Sequence, residues 1–222
     1  MTGPEVFQII IIALGETIYM TVVTSIFAFL FGLVLGIVMF ITEPDSIYPL
    51  PLFNKILGIA INIIRSFPSM ILIVVLLPLS RLIVGTSIGT TAAIVPLVIG
   101  TAPILGRTVE NSLKEVERGK IEAAIAMGSS SYDIIRKVII PEALPSLARG
   151  ITLSIITIIG ASAIAGATGA GGLGAVALRY GYQRFMEDVL IYTVLLMVII
   201  VQAIQMLGDF FARRINAKRY IG

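Results

Sequence analysis

Residue types that perform covalent chemistry are scarce in this 222-residue chain. The sequence contains no Cys, His or Trp, which excludes thiol nucleophiles, disulfides, Cys/His metal sites and the commonest general acid or base. Its one Gly-Lys pair, Gly119-Lys120, is followed by Ile121 instead of the Ser or Thr of a nucleotide-binding P-loop. Lys114 also stands where the first Gly of that pattern belongs. We therefore predict that this chain is not an enzyme and holds no metal or cofactor.

A second glycine pattern, Gly169-Ala-Gly171-Gly172-Leu-Gly174, satisfies the G-x-G-x-x-G of dinucleotide-binding folds literally. That function requires a preceding strand and a following helix within a βαβ unit. Here the pattern follows a long apolar stretch instead. We predict a tight re-entry turn on the outer side of a membrane, where Gly permits unusual backbone dihedrals.

The composition indicates the elements that carry these residues. Hydrophobic residues make up 57% of the chain, charged residues only 13%, and the mean hydropathy is +1.02, whereas about 25% of the residues of a soluble domain are charged. Because a bilayer core requires about 20 apolar residues in a helix, we predict an all-α integral membrane protein with five transmembrane helices. They cover about 17–41, 57–80, 87–109, 148–168 and 188–209.

The distribution of basic residues predicts the orientation. No Lys or Arg precedes Lys55, whereas the tail at 210–222 is basic. By the positive-inside rule the N-terminus is outside and the C-terminus is cytoplasmic, and without a basic n-region the first span is not a signal peptide. The segment 110–147 between helices 3 and 4 is then a cytoplasmic loop. Because topology explains the basic charge, and no basic and aromatic surface is evident, we exclude a nucleic-acid partner.

Away from the ends of the predicted spans, Arg65 is the only charged residue, so the sequence contains no acidic path for coupling ions. Pro68 follows it by about one turn and interrupts helical hydrogen bonding. Arg65 either snorkels to the inner interface or lies in a short interfacial helix before the true span. The alternative is that it forms a cytoplasmic gate or contacts a carboxylate. Elsewhere Gly32-x-x-x-Gly36 indicates close helix packing, within one chain rather than between copies.

The predicted loop contains a short helix over 118–127. Ile121, Ala124 and Ile125 form an apolar stripe at i, i+3 and i+4, and Gly128 ends the helix. Such a helix on the cytoplasmic face fits a partner's groove or lies on lipid. These residues alone leave both possibilities open.

A second helix of the loop begins at Ser130-x-x-Asp133, which has the form of a capping box. We expect it to end at Pro141. The predicted loop is thus a helix, a Gly break and a second helix.

The same loop resembles the Glu-Ala-Ala loop of bacterial ABC-importer permeases. That family has the pattern E-A-A-x3-G-x9-I-x-L-P. The corresponding residues here are Glu122-Ala123-Ala124-x-x-x-Gly128, nine further residues, and Val138-x-Ile140-Pro141. Only the Ile and Leu positions differ, and both differences are conservative.

Further segments resemble the methionine-importer subfamily of these permeases, and the resemblance runs from about residue 16 to residue 209. These segments are 83–89, 93–96, 107–112, 144–146, 165–174 and 179–182. The family implies a homodimer with a permease domain at 14–208, in the bacterial cell (inner) membrane. It also implies three kinds of partner: membrane lipid, two copies of a cytoplasmic ATP-binding subunit, and an extracytoplasmic methionine-binding lipoprotein.

In this family the loop couples the permease to the ATPase. The resemblance implies that Glu122 is a polar anchor and that Ala123, Ala124 and Gly128 allow the partner to approach closely, with Pro141 closing the motif. The predicted function is therefore that of a permease subunit of an ATP-driven methionine importer. Alternatives are a permease for another amino acid or small solute, an uncoupled channel or facilitator, and a membrane scaffold.

The substrate path is the least constrained part of the prediction. A zwitterionic amino acid requires a few polar groups near the bilayer midplane. The candidates are Ser154, Thr157, Ser162, Gln202 and Gln205. Each of them fits an ordinary hydrogen bond between helices equally well.

Overall fold

A computed structural model describes residues 3–44 and 46–219, and every regular element in this part of the chain is a helix. This confirms the all-helical prediction. The elements in chain order are α1 Gly3–Ile41, α2 Pro51–Ser66, α3 Ser69–Val84, α4 Thr90–Lys114, α5 Arg118–Ala126, α6 Ser131–Asp133, a π-helical segment Ile134–Ile139, α7 Ile140–Gly166, α8 Gly172–Val176, a second π-helical segment Ala177–Tyr182, and α9 Glu187–Arg219.

Four helices of the described chain are long and apolar enough to cross a membrane: Pro4–Ile41, Thr90–Lys114, Ser131–Gly166 and Glu187–Asn216. The predicted span at 57–80 is not one straight helix, because α2 and α3 meet at an angle of 106°. Pro68 causes the break, since the proline ring pushes the preceding residue out of the helical region. Phe67 accordingly has an extended backbone with ψ of 132°.

Helix α4 lies at the centre of the molecule. Of its most apolar 18-residue stretch 67% is buried, compared with 11% for α9. Helix α1 crosses α4 so closely that a Cβ atom on Gly36 would collide with the Val109 side chain and the Gly106 carbonyl. Gly32 likewise lies against Leu105. The Gly32/Gly36 pair therefore packs within one chain, as predicted.

The glycine-rich segment after α7 is a tight turn, as predicted. Gly169, Gly171 and Gly172 have φ values of 93°, 84° and 78°, a region that residues with a Cβ atom avoid. The turn folds α8 back onto α7. The two helices are so close that a Cβ atom on Gly174 would overlap the backbone of Ala163.

One predicted boundary at the predicted cytoplasmic end is wrong. The helix that begins at Ser131 does not end at Pro141 but continues to Gly166. Pro141 is tolerated because it lies in the first turn of α7, directly after the π-helical segment, where the lack of a backbone donor costs little. Helix α9 extends into the predicted basic tail at 210–222, since it runs to Arg219. Residues 220–222 of that tail lie outside the described residues.

Candidate functional site

The loop between α4 and α7 is built on a continuous apolar core. Its buried residues come from α1, α4, α5 and the helix that leads into α7, so the loop is packed against three long helices rather than hanging free. They are Phe40, Leu105, Val109, Leu113, Val116, Ala124, Ile134, Ile139, Ala143 and Leu147. Helix α5 is therefore attached to the helices below it through Ala124.

Helix α5 presents a mixed surface. Glu122 and Ala123 are exposed, whereas Ala124 is only 3% exposed and packs into the chain's own core. Ile125 and Met127 are 57% and 78% exposed. The prediction placed Ile125 on the same stripe as Ala124, but the structure turns it outward. Met127, the residue directly after α5, was not among the predicted site residues.

The turn after α5 follows the predicted chemistry. Gly128 is exposed and has φ of 79°, and a Cβ atom there would meet no other atom within 4 Å. The Ser130 hydroxyl accepts a hydrogen bond from the Asp133 backbone N–H at 3.2 Å and donates one to Asp133 Oδ2 at 2.8 Å. This confirms the capped helix start. Pro141 is exposed at the beginning of α7.

Ion pairs connect the loop to the spanning helices. Lys120 Nζ on α5 lies 2.7 Å from Glu142 Oε2 on α7. Within the loop, Lys137 Nζ lies 2.7 Å from Asp133 Oδ1. Solvent screens the exposed Lys137–Asp133 pair, whereas the partly buried Lys120–Glu142 pair contributes at most about 1 kcal/mol to stability. The Lys120–Glu142 pair joins α5 to the first turn of α7.

A buried carboxylate lies directly below the loop. Glu110 on α4 has a side chain that is 2% exposed and accepts hydrogen bonds from Arg107 Nη1 and Lys114 Nζ, both at 2.8 Å. Lys114 also pairs with Glu43, just after α1. Arg107 Nη2 donates to the Gly58 carbonyl of α2 at 3.5 Å.

This network joins α1, α2 and α4. It was not among the predicted site residues, although the spacing of Arg107, Glu110 and Lys114 at i, i+3 and i+7 places all three on one helix face.

The predicted substrate-path residues are not brought together. Ser154 and Ser162 are buried, and each donates to a carbonyl of its own helix at 2.9 and 2.8 Å. Gln205 donates to Asp209 at 3.1 Å, and Gln202 is exposed on α9. These side chains therefore form local contacts rather than a common polar path.

Arg65 and Thr157 are the exception. Both are exposed and line one concavity of about 80 Å³ beside the α2–α3 bend at Pro68. Thr157 donates to the Leu153 carbonyl at 2.9 Å. Within the described residues Arg65 has no carboxylate within the 4.0 Å of an ion pair. The structure thus places Arg65, a predicted gate residue, and Thr157, a predicted substrate-path residue, on the same concavity.

Metal binding finds no support in the part of the chain that the structure describes. No three His, Cys, Asp or Glu residues are grouped there so that they could hold an ion. The chemistry of the site is that of surface complementarity and ion pairing.

Sequence and structure comparisons identify the family. The family described as "Binding-protein-dependent transport system inner membrane component" matches residues 28–219. The chain belongs to this family. Membership makes it a multi-pass component of the inner membrane, and the loop with α5 is the part of this family member that projects from the spanning helices.

Relatives within the family match almost the whole chain. A "Probable D-methionine transport system permease protein MetI" of Vibrio cholerae is 43% identical over 210 residues, which are 94% of this chain and 93% of that protein. The "Methionine import system permease protein MetP" of Bacillus subtilis is 44% identical over 180 residues, 81% of either chain.

Solved structures agree with these relatives. A structure described as showing "Inward facing conformations of the MetNI methionine ABC transporter" has a TM-score of 0.94 and 42% identity, over 97% of this chain and 99% of that one. An "amino acid ABC transporter with histidines" has a TM-score of 0.73 at 21% identity, over 94% of either chain. The second match concerns the fold alone.

Proposed function

We propose that this chain is the permease subunit of an ATP-driven methionine importer. The observation that carries the proposal is the 42% identity and TM-score of 0.94 to a chain of the MetNI methionine ABC transporter. In this proposal two copies form the translocation pathway and two copies of a separate subunit hydrolyse ATP. An extracytoplasmic methionine-binding lipoprotein delivers the substrate. The chain itself performs no catalysis and carries no cofactor.

The proposed topology places five spans within a permease domain at 14–208. The bent pair of α2 and α3 counts as the second span, so that the N-terminus is outside and the C-terminus cytoplasmic. The coupling loop at 110–147 then faces the ATPase. The excess of Lys and Arg in this loop and at the end of α9 supports this orientation.

The proposed mechanism depends on the attachment of α5. Glu122, Ala123, Ile125 and Met127 form the exposed coupling surface, and Gly128 sets the turn behind it. When ATP draws the two ATPase subunits together, α5 moves with them, and its core and ion-pair contacts transmit the motion to the spans. ATP shifts the equilibrium between inward-open and outward-open states only by its differential affinity for them.

Capture of the ATPase is the first test. The tagged chain, purified from its native membranes in a mild detergent, is expected to retain an ATP-binding subunit in a 1:1 ratio. Glu122→Lys should abolish this retention, because it reverses a charge on the coupling surface outside the spans. Recovery of the chain alone, with ion or solute flux in liposomes that contain only this chain, would support an uncoupled channel instead.

The substrate requires a separate test. A methionine auxotroph that carries this chain with its ATPase and binding protein is expected to grow on D-methionine or L-methionine at low concentration, and deletion of the chain should abolish that growth. Growth that depends on a different amino acid would indicate a permease of the same architecture with another substrate. Unchanged growth after deletion would indicate a scaffold.

A further inference from the structure

A second polar cavity lies at the opposite end of the molecule from the coupling loop. It has a volume of about 300 Å³, is partly open, and is lined by α1, Gly89 just before α4, the glycine-rich turn, α8 and the second π-helical segment. Its polar lining includes Glu16, Arg179 and Tyr180, and much of the remaining wall is glycine backbone. A cavity of this size lies at the lower end of the range for small-molecule sites.

Glu16 is held in a defined position on one wall. Its Oε2 atom accepts a hydrogen bond from the Gly172 backbone N–H at 2.6 Å. The neighbouring Thr17 hydroxyl accepts one from Leu173 N–H at 2.8 Å. Gly171 allows this approach, since a Cβ atom there would lie 2.6 Å from Glu16 Oε2. In the described residues Oε1 has no hydrogen-bond donor, so one oxygen of a fixed carboxylate is available to a ligand.

Arg179 supplies the opposite charge on the same cavity. Its side chain is exposed, and among the described residues no carboxylate, including that of Glu16, lies within the 4.0 Å that defines an ion pair. A carboxylate and a guanidinium therefore line one cavity without neutralising each other. Charge-assisted hydrogen bonds are the strongest available in such a site, and a ligand with two opposite charges satisfies both groups at once.

We propose that this cavity binds the zwitterionic head group of an α-amino acid. The ammonium group donates to Glu16 Oε1 and the carboxylate accepts from Arg179, while the Cα atom and the first part of the side chain occupy the cavity that these two residues line. The proposal rests on the proposed function, in which this end of the molecule faces outward. There the site receives the amino acid that the binding protein releases, before it passes through the membrane.

The test uses the complete transporter, with its ATPase and an excess of the methionine-loaded binding protein, in proteoliposomes. Radiolabelled methionine uptake is measured for wild type, Glu16→Gln and Arg179→Gln. Matched controls are Glu187→Gln and Arg81→Gln, which remove the same charges outside this cavity. We expect each cavity variant to raise the KM about tenfold, with unchanged assembly and basal ATP hydrolysis, and the controls to behave as wild type.

Glutamine separates binding from a purely structural role of Glu16. Its side-chain carbonyl still accepts the hydrogen bond from Gly172 N–H, so the turn remains capped while the negative charge is lost. A wild-type KM in both cavity variants would overturn the proposal. It would equally be overturned if Glu16→Gln lowered the melting temperature while Arg179→Gln transported normally. A wild-type transporter that fails to import methionine would instead refute the proposed function, on which the site depends.

Discussion

Gly128 sets the direction of the coupling surface through its backbone conformation. Its φ of 79° costs a residue with a Cβ atom about 1–2 kcal/mol. We expect Gly128→Ala to loosen α5 and reduce ATPase capture, whereas Gly119→Ala, in the helix with open space around it, should leave both unchanged. Hydrogen exchange of the α5 amides measures the loosening. Equal protection in the two variants would refute this explanation.

The contact between α7 and α8 makes a second prediction for single residues. A Cβ atom on Gly174 would overlap the Ala163 backbone, whereas one on Gly160 would meet nothing within 4 Å. Gly174→Ala should therefore destabilise the protein by about 1–3 kcal/mol. Gly160→Ala should stabilise it by about 0.5–1 kcal/mol, because α7 loses a helix-interior glycine. Thermal unfolding in detergent compares the two, and a Gly174→Ala variant as stable as wild type would contradict the close contact.

Individual residues show where sequence patterns suffice. Ser130 and Asp133 predicted a capped helix start because that contact is local, and the glycines at 169–172 predicted a tight turn for the same reason. The rotation of α5 is different. A helix of nine residues whose apolar positions are not confined to one face does not fix its own orientation, so the pattern placed Ile125 beside the buried Ala124.

At the level of helices, the Glu110 network fixes the relative positions of α1, α2 and α4. Glu110→Gln removes the charge that holds Arg107 and Lys114, so we expect a loss of about 1–3 kcal/mol in unfolding free energy. Glu115→Gln is the control, because Glu115 is an exposed carboxylate one turn later. Chemical or thermal unfolding of both variants measures the difference. Indistinguishable stabilities would show that the network contributes nothing to the fold.

Helix existence was easier to predict than helix direction. The long stretches without charged residues identified the apolar segments. Such stretches report composition and not geometry, so they did not reveal that the chain at 57–80 bends by 106°. Pro68 signalled a break without its angle. At Pro141 the same residue type signalled an end that does not occur, since the π-helical segment before it removes the conflict. A proline in the sequence indicates that a helix is disturbed, and the neighbouring residues determine whether the helix bends, ends or continues.

At the level of the whole transporter, the exposed apolar residues of the coupling loop predict assembly. Met127→Asp places a charge where we expect contact with the ATPase and should reduce its capture about tenfold or more. Leu82→Asp is the matched control, because Leu82 is 84% exposed and lies on the predicted opposite side of the membrane. If the Met127→Asp variant still captured the ATPase stoichiometrically, α5 would not be part of the interface with the ATPase.

The candidate sites divide along the same lines. The motif of the predicted coupling loop could be recognised in the sequence because it lies in one continuous segment. The Glu16–Arg179 cavity could not, since α1 and the second π-helical segment are far apart in sequence. Ser154 and Ser162 seemed suitable for a polar path, but each satisfies its own hydroxyl within its helix, which the sequence does not reveal.

The lengths of the first and last helices of the chain relate the molecule to the bilayer around it. α1 contains 39 residues and α9 contains 33, which correspond to about 58 and 50 Å at 1.5 Å per residue. The hydrocarbon layer is only about 30 Å thick. Both helices must therefore tilt or project beyond it. Because only 11% of the most apolar stretch of α9 is buried within its own chain, the rest of its apolar surface is left to lipid or to a second copy of the chain. Wherever that surface meets lipid, the thickness of the bilayer contributes to the tilt of the helix.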